Sequence, residues 1–176
     1  MERKNYFTYF NPSEQLRPRL SKNKFNELKD WDLAWEILEP INIATTRRSE
    51  IGLSKKLSPG QKTLYFFWYL DAEVENGGFI QFYNNGVDHY LPSIIEGLNL
   101  LKDKKMLNLI TKAEELFQKN EALFKKATTI EAFSELYDKV KDFSKLDDKY
   151  AELRENTMVL LEKYIRENPK EFIILK

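Results

Sequence analysis

Ser58-Pro59-Gly60-Gln61-Lys62-Thr63-Leu64-Tyr65-Phe66-Phe67-Trp68-Tyr69-Leu70-Asp71-Ala72-Glu73-Val74-Glu75-Asn76-Gly77-Gly78 is the stretch whose reading decides the fold. It opens with a helix-start signature: Ser58 as N-cap, Pro59 at the first helical position where no donor is lost, and Gln61 placed to close a capping box. From Leu64 to Val74 the residues leave almost no polar face, so the helix they form must be surrounded by others to bury them. This predicts a central helix over about residues 59–76. Gly77 or Gly78 can take the left-handed conformation that ends it, and Phe79 to Asn84 can form a short second helix after the turn.

Around this hub the remaining periodicities are helical. Phe25, Leu28, Trp31, Trp35 and Leu38 predict a short helix from about Asn23 to Leu38, interrupted by Pro40, and a weaker helix spans Ile41 to Leu53. Downstream, Pro92 starts a helix carrying Ile94, Ile95, Leu98 and Leu101, and Asp103 can cap the next, with Met106, Leu109, Ile110, Ala113 and Phe117. Thr128 with Glu131 forms a capping box before Phe133, Leu136, Tyr137 and Val140. The last helix is expected to start near Asp147, to turn Tyr150, Leu153, Thr157, Leu160, Leu161 and Tyr164 inward, and to stop at Asn168-Pro169. Residues 1–20 contain Asn11-Pro12 and Arg17-Pro18 without helical periodicity and read as an irregular N-terminal arm. The expectation is an all-α fold: a single compact multi-helix domain over residues 21–176.

Composition narrows the function classes. Lys plus Arg and Asp plus Glu number 28 each, so no net field recruits nucleic acid or an acidic membrane surface. The charge is uneven along the chain: residues 1–60 carry +3, 61–100 carry −4 and 101–176 carry +1. The absence of Cys excludes disulfides, thiolate metal sites and a cysteine nucleophile, and fits a reducing cytoplasm. No apolar run reaches membrane-spanning length, and no signal-peptide core follows Met1-Glu2. Arg47-Arg48 and Lys102, Lys104, Lys105 have acids interleaved nearby and read as solvated surface.

The acidic segment is also where chemistry concentrates. At about 100° per residue, Trp68, Asp71 and Glu75 form one stripe of the central helix, while Glu73 lies on another face. Two readings follow. In one, Asp71, Glu75, Asn76, Gly77, Gly78, Gln81 and Asn85 line a polar pocket, the amides offering donors and acceptors and the glycines letting a ligand approach the backbone. In the other, the carboxylates accept hydrogen bonds from the following turn and from a distant Arg or Lys, and pin helices together. Two carboxylates and His89, the single histidine, are too few for a metal centre, and no Glu-x-x-His is present; no metal or other cofactor is expected. No Gly-x-Ser-x-Gly elbow, phosphate loop or dinucleotide fingerprint appears, so an enzyme is the minority reading.

The run from Leu57-Ser58-Pro59-Gly60-Gln61 through Asp71-Ala72-Glu73-Val74-Glu75-Asn76-Gly77-Gly78-Phe79-Ile80-Gln81-Phe82 to Asn85, with the tail from Leu146-Asp147-Asp148 through Tyr164-Ile165 to Phe172, resembles a bacterial family named for a DNA-mimic protein. The Asn-Gly-Gly-Phe-x-Gln-Phe core carries the resemblance and names no reaction. It implies a compact helical domain able to dimerise and, for the namesake activity, a carboxylate surface that imitates duplex phosphates and occupies DNA-binding proteins. Phosphate mimicry needs rows of unpaired negative charge, and zero net charge disfavours it here. The first functional expectation is therefore a non-enzymatic module that binds another protein, or a second copy, without direct contact to nucleic acid or membrane. Phe7, Tyr9 and Phe10 in the arm and Phe172, Ile173 and Ile174 in the tail are free to dock on the chain itself or on a partner. The alternative is a small-molecule-binding protein or hydrolase using Asp71, Glu75, Asn76 and Gln81.

Overall fold

The computed structural model describes residues 3–176, the side chains of Arg47 and Arg48 excepted, so the expected surface role of that pair and the first two residues of the arm lie outside the described residues. The order is α1 (Lys22–Glu27), α2 (Asp30–Leu38), α3 (Arg47–Ser54), α4 (Pro59–Asn84), α5 (Leu91–Leu100), α6 (Lys104–Phe124), α7 (Ile130–Lys139), α8 (Asp142–Glu167) and α9 (Pro169–Phe172). Two short parallel strands, β1 (Arg19–Leu20) and β2 (Ile174–Leu175), tie the two ends of the chain together. The all-α expectation holds.

As its apolar composition requires, α4 is the hub. It packs along α5 and α8 and also touches α2, α6, α7 and α9. Leu64, Tyr65, Phe66, Phe67 and Leu70 are all buried. The capping box forms as read: Ser58 Oγ accepts from the Gln61 amide at 3.1 Å, and Gln61 Oε1 accepts from the Ser58 amide at 3.0 Å. The tail completes this end, because Glu171 Oε1 accepts the Gly60 amide at 2.6 Å, placing a carboxylate at the positive end of the helix dipole. Phe172 lies so close to Gly60 that a Cβ there would meet its ring at 2.6 Å. Phe172 and Ile173 are buried on the chain itself, whereas Tyr9, Ile174 and Leu175 stay exposed. The arm settles over the same end, with the Tyr6 amide donating to Ser93 Oγ and the Leu16 amide to the Lys56 carbonyl.

Four helix boundaries differ from the sequence expectation. The single helix expected over Asn23–Leu38 is two helices, α1 and α2, parted at Asp30 (φ +46°). The break is made from outside: Arg166 donates to the carbonyls of Phe25 and Leu28 at 2.7 and 2.5 Å, and Glu162 accepts the Asp30 amide at 2.8 Å. The second helix starts at Arg47 rather than Ile41, because Thr46 and Ser49 form its capping box. Thr129, not Thr128, caps α7, accepting from the Ala132 amide. The helix expected to start near Asp147, α8, begins at Asp142, more than a full turn earlier; Phe143, fully buried, packs against Tyr83 and Phe124 and recruits that turn. Asp103 caps α6 as expected, and its other carboxylate oxygen accepts from Thr157 at 2.6 Å.

Candidate functional site

At the C-terminal part of α4 the helix breaks. Gly77 (φ −155°, ψ 27°) and Gly78 (φ 68°, ψ −176°) leave helical geometry, and Phe79–Asn84 resume it. The positive φ falls at Gly78, and its extended ψ lies in a region essentially confined to glycine rather than in the left-handed helical well. The freed amide of Phe79 is met from 68 residues away: Asp147 Oδ1, on α8, accepts it at 2.8 Å. A Cβ on Gly78 would stand 2.5 Å from the same carboxylate. Glycine is thus needed twice, for the backbone and for the approach of Asp147. Burial raises the Asp147 pKa above its ordinary value, the Phe79 amide opposes that shift, and Asp148 adds to it. On the other side of the break, Tyr137 donates to the Gly77 carbonyl at 2.8 Å.

Asp71 and Glu75 lie one turn apart before the break. The Asp71 side chain is 8% exposed and receives a bidentate guanidinium, Arg154 Nε at 2.6 Å and Nη2 at 2.9 Å, together with the Tyr150 hydroxyl at 2.9 Å. Tyr150 and Arg154 are themselves one turn apart on α8, so a single face of that helix satisfies the carboxylate. The hydrogen bonds that Arg154 donates to Asp71 raise the Arg154 pKa, and burial, with Asp71 nearby, raises that of Tyr150 well above the usual phenol range. Glu75 is farther from Arg154, at 3.7 Å, and its side chain is 45% exposed.

The remaining candidates form a separate group around Glu73. Glu73 Oε2 accepts from Gln81 Nε2 at 2.9 Å and from Asn85 Nδ2 at 2.8 Å, and Asn76 Nδ2 donates to Gln81 Oε1 at 3.0 Å. The seven residues read from the sequence as one pocket are thereby divided. Asp71 and Glu75 face α8 and Arg154, whereas Gln81, steadied by Asn76, and Asn85 hold Glu73 across the glycine break. Among the described residues no group of three or more His, Cys, Asp or Glu side chains is placed to hold a metal ion, and no helix is long and apolar enough to cross a membrane. His89 Nδ1 lies 2.6 Å from the Gly86 carbonyl, beside the turn that leads into α5.

On the outer side of Asp71 the surface opens into a cleft of about 350 Å³ between α2, α4 and α8, lined by Trp31, Asp32, Trp35, Trp68, Asp71 and Arg154. All three tryptophans of the chain stand in it. Trp35 and Trp68 approach with ring centroids 6.2 Å apart, Trp35 is 43% exposed, and the Arg154 guanidinium lies 5.8 Å from the Trp31 ring. Sequence periodicity assigned Trp31 and Trp35 to the core face of a helix and passed over Tyr150 and Arg154 as partners of Asp71. The i, i+4 spacing of Tyr150 and Arg154 is the signal that could have suggested the pairing, but nothing local says which carboxylate they meet.

With this geometry in hand, residues 55–168 match the family described as DMP19-like protein. The chain is 30% identical over 125 residues to the DNA mimic protein DMP19 of Neisseria meningitidis serogroup B (strain ATCC BAA-335 / MC58), a match covering 66% of this chain and 72% of that protein. The matched region contains α4 with its glycine break, and Asp147, Tyr150 and Arg154 of α8.

Proposed function

Because the chain belongs to the DMP19-like protein family, we propose that it is a non-enzymatic protein-interaction module that receives another protein at the tryptophan cleft. The observation that carries this reading is the contrast at Asp71. On its inner side the carboxylate has both oxygens engaged by Arg154 and Tyr150. On its outer side an open surface offers indoles, the side chains most enriched where partner proteins bind tightly. Asp32 lines that surface and Glu75 lies 3.7 Å from the Arg154 that lines it, both exposed, so a partner presenting Arg, Lys or aromatic side chains suits it. In this proposal Asp71 and Glu75 shape the cleft, while Asn76, Gly77, Gly78, Gln81 and Asn85 build the break that aligns α4 with α8.

The relative's name gives a second reading, mimicry of DNA toward DNA-binding proteins. It shares the prediction of a protein partner and differs in the surface used. Against mimicry stand zero net charge and carboxylates spoken for by cations, such as Asp88 and Glu114 on Arg3 and Glu162 on Arg166. A homodimer is the second-copy form of the first reading, with the exposed Ile174 and Leu175 beside β1 as further apolar contact. The test is capture from a bacterial lysate on immobilised protein, alongside Trp35→Ser and Trp68→Ser variants with unchanged circular dichroism. Loss of a stoichiometric partner on both variants supports the cleft. Undiminished capture that duplex DNA competes away would replace it with mimicry.

A further inference from the structure

Between α6 and α8 the chemistry reverses. Lys105 and Lys112 from α6 and Lys145 and Lys149 from α8 line a groove of about 490 Å³ whose floor includes Leu146 and Leu153, and no carboxylate is among its lining residues. Lys145 and Lys149 each have an acid one turn away on their own helix, Asp142 at 3.4 Å and Glu152, in highly exposed pairs of the kind that contribute little and exchange readily. Lys105 and Lys112 form no ion pair among the described residues. In a chain whose charges balance overall, this is a local excess of ammonium groups around aliphatic side chains. Lys105 alone reads from the sequence as solvated surface; only the packing of α6 on α8 joins it to the other three.

We propose that this groove docks an acidic amphipathic helix of another protein. The spacing fits such an occupant. Lys105 and Lys112 lie two turns apart on α6, as do Leu146 and Leu153 on α8, a length of about 10 Å along each helix. A partner helix with apolar residues at i, i+3 and i+7 covers the leucines, and carboxylates on the flanks of its apolar stripe reach the lysines on both walls. A nucleic-acid strand fits less well: single strands are held by aromatic stacking as well as charge, and this floor is aliphatic. The chain's own exposed acidic helix, α7, already pairs Glu135 with Lys139, which leaves it fewer free carboxylates than the four lysines invite. Because the groove shares no lining residue with the tryptophan cleft, the two surfaces can be occupied independently.

The probe is a fluorescein-labelled helical peptide of about 14 residues, roughly four turns, built from Leu at i, i+3 and i+7 with Glu and Ala elsewhere, titrated with the full chain by fluorescence anisotropy. Saturable binding that weakens with salt, falls about tenfold or more in Lys105→Glu/Lys112→Glu, and is lost when the peptide's Leu are replaced by Ala is the expected result. Lys105→Gln/Lys112→Gln, with circular dichroism of both variants, separates charge from folding. Absence of saturation overturns the proposal. So does equal binding of the Leu-free peptide or of a single-stranded oligonucleotide of the same charge, which marks a general polyanion surface. Self-association of the free protein that the same lysine variants abolish overturns it too, making the occupant a second copy. Trp35→Ser leaves peptide binding unchanged, so failure of the tryptophan cleft and failure of this groove are read separately.

Discussion

The two ends of the apolar part of α4 are both closed by hydrogen bonds to amides the helix leaves open, yet they are closed by different means. At the N-terminal end the donors and acceptors are neighbours in sequence, Ser58 and Gln61, with Glu171 adding a further acceptor. At the Gly77–Gly78 break the acceptor is Asp147, brought in by α8 from far along the chain. A cap made locally can form as the helix forms, whereas one made by a distant carboxylate exists only once α8 has docked. The first end is thus a property of the segment and the second a property of the fold.

Gly78→Ala attacks the second end most directly. The positive φ and the 2.5 Å approach to Asp147 combine, and a loss of about 3–4 kcal/mol is expected by chemical denaturation. If the loss is below 1 kcal/mol, about the cost of an ordinary helix substitution, the break is not held by glycine. Asp71→Asn follows, because it leaves the Arg154 guanidinium facing an amide; about 3 kcal/mol is expected, since removing one partner strands the other in a mostly buried site. A double-mutant cycle with Arg154→Met should recover much of that loss, and additivity of the two changes would sink the pairing.

Lys62 sharpens the comparison at the N-terminal end. Its side chain is fully buried, Nζ has no hydrogen-bond partner among the described residues, and the Phe7 and Phe10 rings of the arm each lie 5.9 Å away. Burial lowers its pKa from 10.5 to about 8. Between those two values the unfolded chain binds more protons than the folded one, so stability rises with pH from about 8 to 10.5 and is flat in this respect below and above. Lys62→Met is expected to stabilise the protein by about 2 kcal/mol at neutral pH and to remove that rise in melting temperature. An unchanged pH profile would show that the amine is solvated through motion of the arm.

The smallest effects compare the caps themselves. Ser58→Ala and Asp147→Ala should each cost about 1 kcal/mol. They should differ in context: Asp147→Ala becomes nearly silent, or even favourable, in the Gly78→Ala background, because the clashing carboxylate is gone, while Ser58→Ala keeps its full cost there. Equal costs for Asp147→Ala in both backgrounds would separate Gly78 from Asp147 and undo the account of the break.

Much of the fold was legible because its signals are local. The box at Ser58 and the cap at Asp103 depend on residues within one turn of each other, the glycine pair marks its break by residue type even though Asp147 closes it from α8, and the unrelieved apolar run over Leu64–Val74 could belong only to a central helix. Of the four boundaries that differed, two were set from outside, by Arg166 and Glu162 between α1 and α2 and by the aromatic packing of Phe143 at the start of α8; the other two, at Thr46 and Thr129, are local caps at positions the periodicity did not single out. The candidate site was legible in its residue types but not in its grouping: the helical stripe joins Asp71 to Glu75, whereas the kink at Gly77–Gly78 brings Gln81 and Asn85 to Glu73.

By itself, then, the sequence determined an all-helical chain, its central helix, the place where that helix breaks and the acidic character of the surrounding segment, because periodicity and capping act over a turn or two. Only the tertiary structure decided that Arg154 neutralises Asp71 while Tyr150 donates to it, that Asp147 caps Phe79, that three tryptophans share one cleft and that four lysines share one groove. Each of those joins residues from different helices, and which faces meet is settled by how the whole apolar surface is buried, a quantity no single segment encodes.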